Sequence, residues 1–267
     1  MHFKKSTISA IIILVGLATI VVMSGLNFLI PQNTQTDEDN YTDTRGYKTM
    51  NKIFLSTKDD VKIAADLYEV ENPAGWLVLV HMMPAAKESW TELAKNFQNA
   101  GYESLAIDLR GHGESDGGPK GYLSFSDSQH QKSILDLEAA ADYLVKERQA
   151  TSDKIIFIGA SIGANLSLQY ISEHSEFRGA VLLSPGLNYR GIKTEPLVKN
   201  LRAGQKVFFV SSQDDGENAE ENQKLHDLVP AGIEKEIEIY EAAGHGTTIL
   251  ENEPELKNLI LEFIRIK

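Results

Sequence analysis

Ile155-Ile156-Phe157-Ile158-Gly159-Ala160-Ser161-Ile162-Gly163-Ala164 is an apolar run that breaks into a turn of small residues and then resumes. Its first half has the length and composition of a strand buried on both faces. The turn fits Gly-x-Ser-x-Gly, the spacing that sets a serine on a sharp bend between a strand and a helix. Such a bend holds the serine at strained dihedrals and needs neighbours without bulk. Gly159 and Gly163, two residues either side of Ser161, supply that room. A helix starting at Ile162 would aim its unpaired N–H groups and positive dipole end at the serine oxygen. The pattern therefore marks Ser161 as a candidate nucleophile, provided that strands and helices alternate around it.

They do. Upstream, Ile53–Leu55 and Val61–Tyr68 flank the turn signal Lys58-Asp59-Asp60 and predict a hairpin. Trp76–Val80 is a second continuous apolar run. Trp90, Leu93, Ala94, Phe97 and Ala100 fall on one helical face that Gly101 ends. Glu103–Ile107 predicts a strand, Asp108–Ser115 a loop, and the spacing from Ser128 to Glu147 one long helix. Downstream, Gly179–Ser184 and Lys206–Ser211 predict buried strands. Glu236–Tyr240 alternates charged and apolar residues, as a strand near an edge would. Leu256, Leu259, Ile260 and Phe263 predict a closing helix. The pattern implies an α/β fold, a mostly parallel sheet with helices on both faces.

The flanks set the context. The chain has 267 residues, a formal net charge of −12 and no cysteine. The acidity disfavours a nucleic-acid partner. The cysteine count excludes disulfides, cysteine-ligated zinc and a thiol nucleophile. Lys4 and Lys5 precede an uncharged stretch from Ser6 to Ile30, and the next charge is Asp37. A helix over Ile8–Ile30 would be about 34 Å long, enough to cross a bilayer. The run is long for a cleaved signal and lacks an Ala-x-Ala site, so residues 1–30 are expected to be a retained anchor. The charge asymmetry puts the N-terminus in the cytoplasm and the rest of the chain outside. Residues 31–48 are polar and acidic, a tether, and 49–267 form the folded domain.

A serine hydroxyl needs a base within reach and an acid to orient that base. In a parallel sheet these come from loops at the carboxyl ends of strands, the side to which the bend points. Two loops qualify: Gln213-Asp214-Asp215-Gly216 and Ala243-Gly244-His245-Gly246. The order serine, aspartate, histidine is that of one hydrolase class. Either aspartate fits the acid role on position alone. Chemistry of other kinds finds no support: no metal-ligand spacing and no nucleotide loop is present, and neither metal nor cofactor is expected.

The bend, the loop Asp108-Leu109-Arg110-Gly111-His112-Gly113-Glu114-Ser115, the acid loop and Gly244-His245 together resemble the α/β-hydrolase family, over roughly Lys52 to Lys267. The resemblance implies a catalytic triad of Ser161, Asp215 and His245. Asp215 is preferred because Ser212-Gln213-Asp214-Asp215 matches the family's Gly-x-x-Asp, with serine for glycine. It implies that Arg110 and His112 are hydrogen-bonded scaffold rather than catalysts. Of the two backbone donors for an oxyanion, one is the N–H of Ile162, the residue after the nucleophile. The other, by the family's His-Gly-x pattern, is that of Met83 in His81-Met82-Met83-Pro84-Ala85. Methionine at 82 departs from the usual glycine. His81 is expected to brace this loop, and His130, His174 and His226 to lie on helix surfaces.

Only Pro185–Gln205 separates the strand ending near Ser184 from the next, too short for a lid domain. The site is therefore expected to be open, with Met82, Met83 and Trp90 as an adaptable apolar wall. The function expected is a serine hydrolase of carboxylic esters, acting on a small-molecule or acylated substrate. Peptidase, thioesterase and acyltransferase activities use the same triad, and a non-catalytic binding module could use the same fold. The sequence leaves the oligomeric state open.

Overall fold

The computed structural model describes residues 50–265. The expected anchor and tether, and the boundaries at 30 and 48, lie outside the described residues. Among those that are described, no helix is long and apolar enough to cross a membrane.

Ten strands are described. They are β1 (Met50–Ser56), β2 (Lys62–Tyr68), β3 (Gly75–Val80), β4 (Tyr102–Ile107), β5 (Ile155–Ala160), β6 (Gly179–Leu183), β7 (Asn188–Tyr189), β8 (Ile192–Lys193), β9 (Lys206–Ser212) and β10 (Glu234–Tyr240). Eight of them make one sheet in the order β1-β2-β4-β3-β5-β6-β9-β10. β1, β2 and β4 pair antiparallel, and every pair from β4 to β10 is parallel. The hairpin expected before Tyr68 is present, and β10 lies at an edge, as its alternation implied.

Among the described residues the α-helices are α1 (Thr91–Asn99), α2 (Asp127–Gln131), α3 (Ile134–Glu147), α4 (Ile162–Glu173), α5 (Thr194–Lys199), α6 (Asn218–Leu228), α7 (Thr248–Asn252) and α8 (Leu256–Ile264). Strand residues divide between them with period two. Trp76, Val78 and Val80 of β3 and Ile155 and Phe157 of β5 pack with α3, α4 and α6 on one face. Leu77 and Leu79, with Ile156, Ile158 and Ala160, pack with α1, α7 and α8 on the other. The near-continuous apolar runs are thus required by burial on two sides. Trp90, expected as a possible wall of the site, is wholly buried in the second face.

The long helix expected from Ser128 to Glu147 is instead two, α2 and α3, broken at Lys132 and Ser133. His130 is buried and its ring packs edge-on to Phe125, 5.4 Å between centroids. The expectation that it lies on the surface is therefore corrected. Asp136 is also buried, against Arg110. Ser126 starts α2 with a reciprocal capping box to Gln129.

Asp136 Oδ2 accepts the Arg110 backbone N–H at 2.8 Å and Oδ1 accepts Nε at 2.8 Å. Asp59 takes the two terminal guanidinium nitrogens at 2.8 and 3.0 Å. The hairpin turn, the β4 loop and α3 thus meet on one guanidinium. Removing a partner from such a buried pair leaves an uncompensated charge. Asp136→Ala should therefore destabilise the domain by about 3–5 kcal/mol, read by urea denaturation. A loss below about 1 kcal/mol would mean that Asp59 alone suffices.

Candidate active site

Ser161 sits between β5 and α4 at φ 53°, ψ −118°. This left-handed conformation is costly for a residue with a side chain, and is held only where surroundings fix it. Here a backbone bond from Ser161 N–H to Leu183 O, 2.8 Å, ties the bend to β6, and Ala164 N–H closes the first turn on Ser161 O at 2.9 Å. A Cβ on Gly159 would fall 2.2 Å from Gly163 O, and one on Gly163 would fall 2.3 Å from Val80 O and 2.7 Å from His81 O. Both glycines are thus required by close backbone approach. The second contact also presses the start of α4 against the end of β3, where the segment 81–87 begins.

His245 and Asp215 meet: the ring Nδ1 lies 2.5 Å from Asp215 Oδ2. An ionised carboxylate can only accept, so Nδ1 carries the hydrogen and Nε2 is left with its lone pair. Gly246 N–H donates to Ser184 Oγ at 2.9 Å, and Ser184 follows Leu183, the residue that holds Ser161. A Cβ on Gly246 would lie 3.5 Å from Ala160 Cβ. The histidine loop is therefore fixed beside the bend. Among the described residues no hydrogen bond joins Ser161 Oγ to His245. All three side chains are partly accessible, with 35% of His245 and 20% of Asp215 exposed.

The neighbouring Asp214 has a different place. Its Oδ1 accepts from Gly244 N–H at 3.1 Å and from the Ser212 hydroxyl. Those bonds, the hydroxyl's first, hold its carboxyl below the usual range. Ser212 Oγ in turn accepts Ala243 N–H at 2.7 Å. The sequence reading left Asp214 as the rival of Asp215 for the acid role. The structure makes it, with Ser212 and Ser184, a brace for the histidine loop. No local pattern marks these three, because each acts on backbone some 30 to 60 residues further along.

The N–H groups of Ile162 and Met83 have no partner among the described residues. Just before Met83, His81 is fully buried. Its Nδ1 donates to Met82 O at 2.9 Å and its Nε2 accepts Leu109 N–H at 2.9 Å. A carbonyl can only accept and an amide can only donate, so the ring is neutral and its tautomer is fixed. Burial, its largest influence, lowers its pKa. His112 stacks on Tyr122 at 4.1 Å and lies 4.8 Å from the His81 ring. Burial and then His81 push His112 down to about 4. Both histidines brace the loop, as expected of them, and Arg110 is scaffold as well.

Above the acid loop lies the small hairpin β7–β8, followed by α5. The sequence reading took this segment only as too short for a lid domain and did not predict the hairpin. Asn165 of α4 anchors it, donating to Gly186 O and Ile192 O at 3.0 and 3.2 Å and accepting Gly186 N–H at 3.0 Å. Tyr189 on this hairpin presents its ring to His245 at 6.3 Å between centroids. Burial raises its hydroxyl to about 12. No separate lid domain is present in the described chain. His174 and His226 are half-buried on α4's end and on α6. No group of side chains among the described residues could hold a metal ion.

A family model described as serine aminopeptidase, S33, matches residues 71–229. The chain belongs to that family of α/β-hydrolases. A 120-residue stretch of this hydrolase is 28% identical to the multifunctional-autoprocessing repeats-in-toxin of Vibrio cholerae, covering 43% of the chain but 2% of the toxin. A polyketide transferase of Stachybotrys chlorohalonatus is 29% identical over 121 residues, 45% of this chain and 39% of that protein. The fold is similar to that of an esterase from Pyrococcus furiosus. Its TM-score is 0.66 at 21% identity, covering 82% of this chain and 90% of the esterase.

Three histidines are buried, His81, His112 and His130, and burial lowers the pKa of each. An unfolded His112 titrates near 6.5 and the folded one near about 4. Between those values the unfolded chain holds the extra proton. This contribution to stability is therefore complete above about pH 6.5 and lost as pH falls toward 4, about 3 kcal/mol in all. His81 and His130 act in the same direction, and Asp136, which burial raises to about 6, opposes them between about pH 4 and 6. Urea denaturation between about pH 7 and pH 4 should show this slope, flattened in His112→Gln. An unchanged slope in that variant would assign the effect to other groups.

Proposed function

We propose that this hydrolase cleaves carboxylic esters through an acyl-enzyme on Ser161. The observation that carries the reading is the Asp215–His245 hydrogen bond in a loop anchored beside the strained serine. It leaves Nε2 as the free base on the ring. In the first half-reaction Ser161 Oγ attacks the ester carbonyl and its proton passes to Nε2. The N–H groups of Ile162 and Met83 receive the oxyanion. The imidazolium then gives the proton to the departing alkoxide. Asp215 keeps the ring in the needed tautomer and balances the transient charge. In the second half-reaction water attacks the acyl carbonyl and gives its proton to Nε2, and the imidazolium then returns a proton to Ser161 Oγ as the carboxylic acid departs.

The half-exposed site under a short hairpin suits an acyl group presented from a larger or surface-bound substrate. In this reading, residues 1–30 hold the domain at the outer face of a membrane. The family description favours an aminopeptidase as the second reading. The two differ in the leaving group, since an amine must be protonated to depart whereas an alkoxide leaves with less help. Parallel assays with aryl esters and aminoacyl amides separate them.

A fluorophosphonate probe should add once to the folded wild-type protein, seen by intact mass, and not at all to Ser161→Ala. An adduct that persists in the variant, or none in the wild type, would leave a ligand-binding module instead. Asp215→Asn should lower kcat by about four orders of magnitude, as when a catalytic histidine loses its orienting carboxylate. Asp214→Asn, which touches only the bracing bonds, should lower it by about tenfold or less. The reverse ranking would transfer the acid role to Asp214.

A further inference from the structure

The loop after β4 and the segment 81–87 face each other across a cluster of charge that the triad does not use. Lys87 is 1% exposed. Its Nζ donates to Glu88 at 2.6 Å, to Glu114 at 2.8 Å and to Asp108 Oδ2 at 3.2 Å. Its backbone N–H donates to Asp108 Oδ1 at 2.7 Å. Asp108 is wholly buried, and Oδ2 also accepts Glu114 N–H at 2.9 Å. Asp66, 3% exposed on the adjoining strand, points an unpartnered Oδ1 into the interior. Burial works to lower the Lys87 pKa, but the bonds to Glu114 and Glu88 outweigh it and hold the group above its ordinary value. The ammonium stays charged.

Burying this many charges is a poor way to gain stability, since well-packed apolar side chains do as well or better. What the cluster does fix is place. The segment has no regular structure between His81 and Lys87. At one end His81 Nε2 is bound to Leu109 N–H, and at the other Lys87 is bound to the Asp108 carboxylate. The two moorings are adjacent residues at the end of a single strand. The strap between them carries Met83.

We propose that Lys87 is a positioning residue for the oxyanion site, mooring the strap through Asp108 and Glu114 so that the Met83 N–H is held where a tetrahedral intermediate develops charge. The proposal rests on the serine-hydrolase reading. A donor held in advance costs no reorganisation during the reaction, and loss of one such donor typically costs about 10²–10³ in kcat. The strap is thus a lever on kcat and not on ground-state binding.

The test compares two ketones on the full chain. An aryl trifluoromethyl ketone takes Ser161 Oγ onto its carbonyl carbon, its carbonyl oxygen becomes the oxyanion and the serine proton moves to His245 Nε2. The matching methyl ketone stays trigonal and reports ground-state binding. Lys87→Met should lower kcat on an aryl ester by about 10²-fold with KM unchanged, and weaken the trifluoromethyl ketone by the same factor, leaving the methyl ketone unaffected. If that variant does not fold, Glu114→Gln reads the latch from its solvent side, where Glu114 is 45% exposed, with an expected loss of about tenfold. A folded variant that keeps wild-type affinity for the trifluoromethyl ketone overturns the proposal, and so does an equal loss for both ketones. Absence of a covalent adduct in the wild-type protein would instead remove the hydrolytic reading, and this proposal with it.

Discussion

The contact on which the rest depends is backbone against backbone. The first turn of α4 lies so close to β3 that position 163 has no space for a Cβ beside Val80 O. A methyl group there would lift the helix off the sheet. The same approach leaves Ser161 at positive φ, a strain of order 1–3 kcal/mol that the packed surroundings must offset. They do so through bonds to the neighbouring strand and the buried helix behind it. The sheet order then follows a purpose. β3 and β6 flank β5, so the strap that leaves β3 and the turn that leaves β6 arrive on either side of the serine. β9 and β10 come next and deliver the aspartate and the histidine from the same edge direction.

Around that contact the polar groups work as braces, and most are bound to backbone. His81, Asp108, Asp136, Asn165, Ser184, Ser212 and Asp214 each hold main-chain N–H or C=O groups of loops that have no ladder of their own. Loops at the carboxyl ends of parallel strands leave many backbone groups unpaired, and inside a protein each must find a partner. The side chains that supply those partners also set the loop conformations. This is why many buried polar residues gather at the carboxyl ends of the strands, while the central strands β3, β5 and β6 are apolar.

The sheet was legible in the sequence because burial on two faces writes itself as runs such as Trp76–Val80 and Lys206–Ser211, and each became a strand within a residue or two. The bend at Ser161 and the loops that carry Asp214, Asp215 and His245 could be placed because the strand pattern fixes where they fall, whereas the preference for Asp215 rested on a resemblance and its hydrogen bond to His245 is visible only in the structure. The elements that were missed are those whose cause is distant. The break between α2 and α3 falls at Lys132 and Ser133, where the spacing of apolar residues carries no sign of it. The β7–β8 hairpin is two residues a side and rests on Asn165, more than 20 residues away. His130 reads as polar, yet its ring is packed as an aromatic one. The brace formed by Ser184, Ser212 and Asp214 is a tertiary arrangement of small residues common in any turn.

Methionine at 82, where a related sequence would carry glycine, is the departure that most called the site into question. The structure accounts for it by where the space is kept. A Cβ on Gly246 would fall 2.5 Å from Met82 Sδ, so the strap and the histidine loop approach closely and the Met82 side chain lies in the space that glycine at 246 leaves. The strap tolerates the exchange because its path is set by the backbone bonds at His81 and Lys87, not by freedom of rotation at 82. An unbranched thioether with three rotatable bonds can lie along such a gap without forcing it open. The side chain then lies between the histidine loop and the strap, so one residue packs against two segments that both meet the bend at Ser161.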